Sequence, residues 1–286
     1  MRHVHEMKAL AAKSLINDQL SRTKEIIDDI SKAEFKVYSQ WGDDGIIQFL
    51  TQYLDIPRKT FIEFGVEDYN EANTRFLLEN NNWQGLVMDG SSGQIEKIKG
   101  QSMYWRHTIT AHAAFITAEN INDILSGHGF SGNIGLLHID LDGNDYWVWK
   151  AIDVVKPVIV IMEYNSLFGP DKPWTIPYDP SFQRTEAHFS NLYFGSSLTS
   201  LCDLAVEKGY SFIGTNSNGN NAYFVRTEEL KGLKSLSVQE GFRPSYFREG
   251  RDIEGNLTYD GLKERYAQLE GQKIYNTRTK SIELIP

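Results

Sequence analysis

The sequence predicts an α/β fold: a mostly parallel sheet with helices on both faces and an antiparallel hairpin at its C-terminal end. Three observations carry this. Five short apolar runs recur between Thr60 and Asn165, each separated from the next by a helix-like stretch. Runs such as "GLVMDG" and "PVIVIMEYN" are apolar at consecutive positions, which is how strands read when both faces of a sheet are covered. Two later runs, "SFIGT" and "NAYFVRT", are joined by "NSNGNN", a turn signal that makes them an antiparallel pair.

In chain order, residues 10–33 carry apolar positions at helical spacing and form a helical lead-in. In "YSQWGDDGIIQFLTQYL", Ser39 or Asp43 and Asp44 cap a helix whose apolar stripe runs from Ile46 to Leu54. The first strand is "TFIEFGV" (60–66), and "NEANTRFLLENN" (70–81) is a helix. "GLVMDG" (85–90) is the second strand, "SGQIEKIKGQ" (92–101) a short helix, and "MYWRHTIT" (103–110) the third strand. A helix over 117–129 opens at Thr117 and stops at Gly127 and Gly129. "IGLLHIDLD" (134–142) is the fourth strand, "DYWVWKAID" (145–153) a helix, and "PVIVIMEYN" (157–165) the fifth strand. Residues 166–195 form a long loop with four prolines. Loops of that length in a compact domain are functional or disordered, and the aromatic content here argues for order. A helix (197–210) and the hairpin follow. The tail from Glu228 holds one helical stretch, "DGLKERYAQLEG", and no clear core pattern. The expected division is a lead-in (1–58), an α/β core (59–227) and a C-terminal extension (228–286).

Composition narrows the function. The chain has 286 residues and a formal net charge of −9, with no run of Lys or Arg, which argues against a nucleic-acid partner. Cys202 is the only cysteine, so there is no disulfide framework or paired-cysteine metal site, and it reads as an ordinary core residue. No apolar run has signal-peptide or membrane length, so a cytoplasmic protein without membrane insertion is expected. Oligomeric state is left open.

A sixth parallel strand would continue a nicotinamide-type Rossmann sheet; a hairpin that inserts the last strand antiparallel marks the class I S-adenosylmethionine methyltransferase sheet instead. Several blocks then carry a closer resemblance: "SQWGDDGII", "EFGVEDYNEANTRFLL", "GLVMDGS", "IDLDGNDYWVWKAI", "VIVIMEYNSLFGP", "SNLYFGSSLTSLCDLAVEKGY" and "NGNNAYFVR". From Ser39 to Arg226 the chain resembles the FkbM-like methyltransferases, and more closely a bacterial subgroup often found among surface-polysaccharide genes. The resemblance implies the class I sheet with S-adenosylmethionine as cofactor. It also implies O-methylation of a small-molecule or glycan acceptor, with Mg²⁺ or another divalent cation needed by some relatives.

Ligands of open α/β sheets sit at the carboxyl ends of the strands, near the topological switch point. That places Glu63, Gly65 and Asp89 at a cofactor site. S-adenosylmethionine carries an ammonium and a sulfonium and no phosphate, so acid-rich turns with few glycines suit it better than bared N–H groups. Asp89 is expected at the ribose, and Asp68 and Asn73 at the methionine end. Trp105, His107 and Phe115 are candidates at the adenine. Many methyltransferases have further glycines where Glu67, Asp68 and Tyr69 stand, so the Tyr69 side chain would either block the cofactor or wall its pocket.

In "HIDLDGNDYW", alternation puts His138, Asp140 and Asp142 on one face, and three polar groups ending an apolar strand are costly unless used. Asp140 is expected to face the sulfonium or the acceptor, and Asp142 the acceptor. Asp140, Glu163 and Asn165 are hard oxygen donors with which a divalent cation could be held. Base candidates are His188, Asp140 and His138, with His188 favoured among the histidines by its place in the long loop beside Arg184 and Glu186. Tyr164, Trp174, Tyr178 and Tyr193 could stack on a sugar. "NSNGNN" reads as a turn, while the resemblance lets Asn220 and Asn221 touch the acceptor. Two other classes compete: a metal-dependent hydrolase or lyase using Asp140, Asp142 and Glu163, and a non-catalytic binding protein, for which Tyr69 speaks.

Overall fold

The computed structural model describes residues 2–286; Met1, the first residue of the expected lead-in, lies outside them. The lead-in is two helices, α1 (Arg2–Ser21) and α2 (Thr23–Asp28), broken at Arg22. Next come α3 (Asp43–Tyr53), β1 (Thr60–Phe64), α4 (Arg75–Asn81), β2 (Gln84–Asp89), α5 (Ser92–Gly100), α6 (Ser102–Arg106) and β3 (Ile109–Ala113). The core continues with α7 (Ile121–Gly127), β4 (Gly132–Ile139), α8 (Asp145–Ala151) and β5 (Val155–Glu163). Then follow β6 (Trp174–Thr175), α9 (Arg184–Ala187), α10 (Leu198–Glu207), β7 (Tyr210–Thr215) and β8 (Asn221–Arg226). The extension holds α11 (Val238–Gly241), α12 (Leu262–Ala267), β9 (Lys273–Asn276) and β10 (Ser281–Leu284).

Seven strands form the central sheet in the order β3-β2-β1-β4-β5-β8-β7. β1 to β5 are mutually parallel, and β8 runs antiparallel to both β5 and β7. This is the class I arrangement expected from the hairpin. The sheet grows outward in both directions from β1 and β4, so a crevice opens at their carboxyl ends.

Successive residues of β1 serve opposite faces, as a strand's two-residue period requires. Phe61 packs on one side with Ile46, Phe49 and Leu50 of α3, and Ile62 on the other with Trp149 of α8 and Leu201 of α10. Ile26 and Ile30 of the lead-in and Leu233 of the extension enter the first of these clusters, so three stretches of the chain share one core.

Two expectations change. The third strand starts later than its apolar look suggests: Met103–Arg106 winds into α6, burying Met103 and leaving Trp105 exposed, and only Ile109–Ala113 pairs with β2. The tail has a core after all, borrowed from the long loop. Leu167, Trp174 and Ile176 pack with Leu269, Ile274 and Ile285, and β6 joins β9 and β10 in a small antiparallel sheet. A fully buried side chain of this size contributes about 1.5–3 kcal/mol, which is why this proline-rich segment is ordered.

Candidate active site

A cavity of about 720 Å³ lies at the carboxyl ends of β1, β2, β4 and β5. Glu63, Gly65, Asn73, Asp89, Phe115 and Asp140 are on its wall, and Asp142, Glu163, Asn220 and Asn221 line it too. Its size suits a small-molecule ligand, for which pockets of roughly 300–1,000 Å³ are usual.

At the β1 end, Glu63 is buried and its carboxylate is already fully engaged. Oε1 accepts from the Asn73 backbone N–H (2.8 Å) and from His138 Nδ1 (2.9 Å). Oε2 accepts from the Thr74 N–H (3.0 Å) and the Thr74 hydroxyl. His138 Nε2 meets the Asn73 side-chain amide at 3.2 Å. Burial pushes the Glu63 carboxyl up, but the bond to and charge of His138, with help from Thr74 and Asn73, hold it below its ordinary value. Burial likewise disfavours a charged His138, and Glu63 outweighs it, with Asp140 and Asp43 adding to the rise. Glu63 therefore fixes the turn that lines the cavity; it is not a free carboxylate offered to a ligand.

Gly65 adopts φ +68°, and a Cβ there would lie 1.8 Å from the Asp140 carbonyl oxygen. The single glycine of this turn thus lets the end of β4 pass beside β1. Non-glycine Glu67 and Tyr69 also take left-handed backbone, at φ 47° and 61°. Tyr69 turns its ring into the core, fully buried, with its hydroxyl 2.8 Å from Thr74 Oγ1. It neither blocks nor walls the cavity.

Asp89 ends β2 half-buried. Each oxygen takes one backbone N–H, from Ser91 and from Glu67, both at 2.8 Å, which leaves each a second lone pair. Phe115 reaches the same end. Asp68 instead spends its carboxylate on Asn70. His107 and Trp105 are off this cavity; His107 lines a separate groove beside α1 and α4.

The β4 and β5 ends are acidic. Asp140, Asp142 and Glu163 each bring a carboxylate oxygen within 4.8 Å of the other two. Burial, then the charge of Asp142, push Asp140 up to about 7. Glu163 rises well above its ordinary value through burial and the charges of Asp140 and Asp142. Asp145 is pushed up to about 6 by burial although it accepts the N–H groups of Leu141 and Gly143. Arg184, from α9, crosses to this cluster and bonds Asp142 Oδ1 at 2.5 Å and Glu249 as well.

Several expected residues do other work. Asn165 leaves the metal set: its amide donates to the Leu192 and Phe194 carbonyls (2.9 and 3.1 Å) and accepts from the Leu167 N–H. Asp142 stands in its place. His188 does not line the cavity; its Nδ1 meets Ser190 Oγ at 2.7 Å and its ring lies against Phe189. Tyr164 is buried, donating to the Arg243 carbonyl, and Tyr193 donates to that of Lys273, so neither stacks on a ligand. Trp174 bonds Glu283, and Tyr178 bonds Glu119.

Sequence reasoning missed Arg184, which it noted only as a neighbour of His188. It also missed Trp41, Asn144, Phe182 and Phe247, all on the cavity wall. Trp41 stands in "SQWGDDGII", yet a tryptophan before a helix carries no signal of which way it faces.

No family model matches the chain, and no curated protein matches it. Solved structures do. One is a S-adenosylmethionine-dependent methyltransferase from Clostridium acetobutylicum ATCC 824, at TM-score 0.43 and 12% identity, covering 72% of this chain and 98% of that one. The N-terminal domain of EvdMO1 with SAH bound matches at TM-score 0.42 and 9% identity, over 73% and 94%. An O-methyltransferase from Bacillus cereus in complex with SAH matches at 0.38 and 11%, over 74% and 89%.

Proposed function

We propose that the chain is a S-adenosylmethionine-dependent O-methyltransferase acting on a sugar or glycoconjugate hydroxyl, of the FkbM-like kind its sequence blocks resemble. The observation that supports this most is the cavity at the switch point, walled by carboxylates at the ends of β2, β4 and β5. A positively charged methyl donor with a ribose matches such a wall better than a phosphate-bearing cofactor, which needs bared N–H groups or lysines.

Asp89 takes the ribose hydroxyls, Asn73 and the turn after β1 hold the methionine end, and Phe115 lies against the base. Asp140 faces the sulfonium. The acceptor sits on the Asp142, Glu163 and Asn221 side, and its oxygen attacks the methyl carbon in line as the carbon–sulfur bond breaks. The hydroxyl proton passes to Asp140, the carboxylate at the join of the two halves. A divalent cation would be held by Asp140, Asp142 and Glu163, hard oxygen donors that suit Mg²⁺, and would supply charge that lowers the acceptor hydroxyl's pKa. Arg184 already bonds Asp142 and supplies part of that charge itself.

Comparing the donor with its neutral product tests the placement. S-adenosylmethionine has a sulfonium; S-adenosylhomocysteine does not. An ion pair at ~5 Å in an effective dielectric of ~20 is worth about 3 kcal/mol before screening, so Asp140→Asn should weaken the donor about tenfold or more. The product's affinity should move by less than about threefold. An equal change for both ligands overturns the assignment of Asp140.

A further inference from the structure

Building on that reading, we infer that the acceptor end of the cavity is a subsite for a protonated amine, so that the methylated hydroxyl belongs to an amino-bearing sugar. Two buried amides point to it. Asn221, 4% exposed, gives its Nδ2 to Asp43 Oδ1 at 3.0 Å. Asp43 also accepts from Asn216 Nδ2 and from the Tyr223 hydroxyl at 2.5 Å. A carboxylate so placed only accepts, so it locks the Asn221 amide nitrogen toward the protein. The Asn221 carbonyl oxygen is left buried with no partner, on a residue that lines the cavity. Asn144, 5% exposed, repeats the pattern: its Nδ2 goes to the Asp179 carbonyl at 2.7 Å and its Oδ1 has no partner. Buried carbonyl oxygens left bare are costly, and here both sit on residues that line one cavity.

Asn221 pairs in register with Glu163, which brings it beside the three carboxylates. This corner therefore presents an excess of carboxylate and carbonyl oxygens. Arg184 is spent on Asp142, Glu249 and the Asn191 carbonyl, and Arg248 bonds the Tyr259 carbonyl. Four acids (Asp140, Asp142, Glu163 and Glu249) stand against two guanidiniums, those of Arg184 and Arg248. An ammonium has three N–H donors, a positive charge and no lone pair, and it satisfies such a corner. A carboxylate or phosphate is repelled. Beside it, Trp41 stacks on Phe247 with centroids 6.3 Å apart, and its indole N–H is buried and unpartnered. That gives a flat apolar face for a sugar ring.

A hydrated divalent cation offers similar chemistry, so the experiment separates the two. Methyl glucosaminide, methyl glucoside and methyl N-acetylglucosaminide are titrated into the protein with and without S-adenosylhomocysteine, by ligand-observed NMR, and Mg²⁺ is titrated alone. The amine is expected to bind about tenfold or more tightly than either neutral sugar. Glu163→Gln and the exposed Asp142→Asn should each remove most of that preference while product affinity holds. Equal binding of the three sugars overturns the inference. So does a response to Mg²⁺, lost in the same variants, with no preference for the amine. Failure of S-adenosylhomocysteine to bind overturns the cofactor reading instead, and the amine preference is then read from the titration without it.

Discussion

Replacing Glu63 by glutamine removes one oxygen from a buried carboxylate that accepts four hydrogen bonds. Glutamine keeps the shape and turns one acceptor into a donor. If the new amide nitrogen takes the Oε1 place, it meets the Asn73 N–H and His138 Nδ1; in the Oε2 place, it meets the Thr74 N–H and hydroxyl. The histidine can shed its proton and the hydroxyl can rotate, but in either orientation one backbone N–H is left facing a donor. An unsatisfied buried N–H costs about 1–3 kcal/mol, and losing the charged partner of His138 brings the total to about 3–5 kcal/mol. At ~2.1 cal/mol/K per residue, a chain of 286 residues has an unfolding entropy near ~0.6 kcal/mol/K, so Tm should fall by about 5–8 °C. Thermal melts followed by circular dichroism read this directly. S-adenosylhomocysteine affinity should fall as well, because the Asn73–Thr74 turn loses its anchor. An unchanged Tm would refute the reasoning: Glu63 would then be free in solution, available to a ligand's ammonium as sequence alone suggests.

Two more predictions follow from the same geometry. Asp89→Ala should weaken S-adenosylhomocysteine about tenfold or more, the worth of a charged hydrogen bond, and lower Tm by about 2–5 °C through the two backbone N–H groups it releases; unchanged affinity in calorimetry would contradict the ribose placement. Stability should also depend on pH with a definite sign. Glu63, held below its ordinary 4.5, contributes stability above that value and loses it as pH falls through its folded value. His138, raised above its ordinary 6.5, contributes fully below 6.5 and less as pH rises through its folded value. Asp44 and Asp145, both pushed up to about 6 by burial, also favour the fold at low pH and lose that contribution as pH rises through about 6. Tm should therefore drop between about pH 5.5 and pH 8, and a rise over that interval would count against these assignments.

The sheet was legible because parallel strands buried on both faces need no partner information: "PVIVIMEYN" is apolar whichever neighbour it pairs with. β3 was misjudged where Trp105, an apolar letter, stands on an exposed helical turn. The long loop and the tail were opaque for a different reason, since each supplies the other's apolar contacts across about a hundred residues and neither shows a pattern alone. Within the site, strand-end logic found the locations of Glu63, Asp89 and Asp140. It could not find their bonding. Glu63 is defined by β4 through His138 and by the residues leading into α4, and only folding brings those together. Asn165 shows the limit most plainly: residue type marked it as an oxygen donor, but backbone carbonyls 27 and 29 residues away claim its amide.

The most direct measurement is a calorimetric titration of S-adenosylhomocysteine into the purified wild-type protein near neutral pH. A donor site walled by carboxylates at the β2 and β4 ends requires saturable binding at one site per chain with a dissociation constant in the micromolar range. Absence of heat together with absence of any melting shift up to millimolar ligand would contradict it.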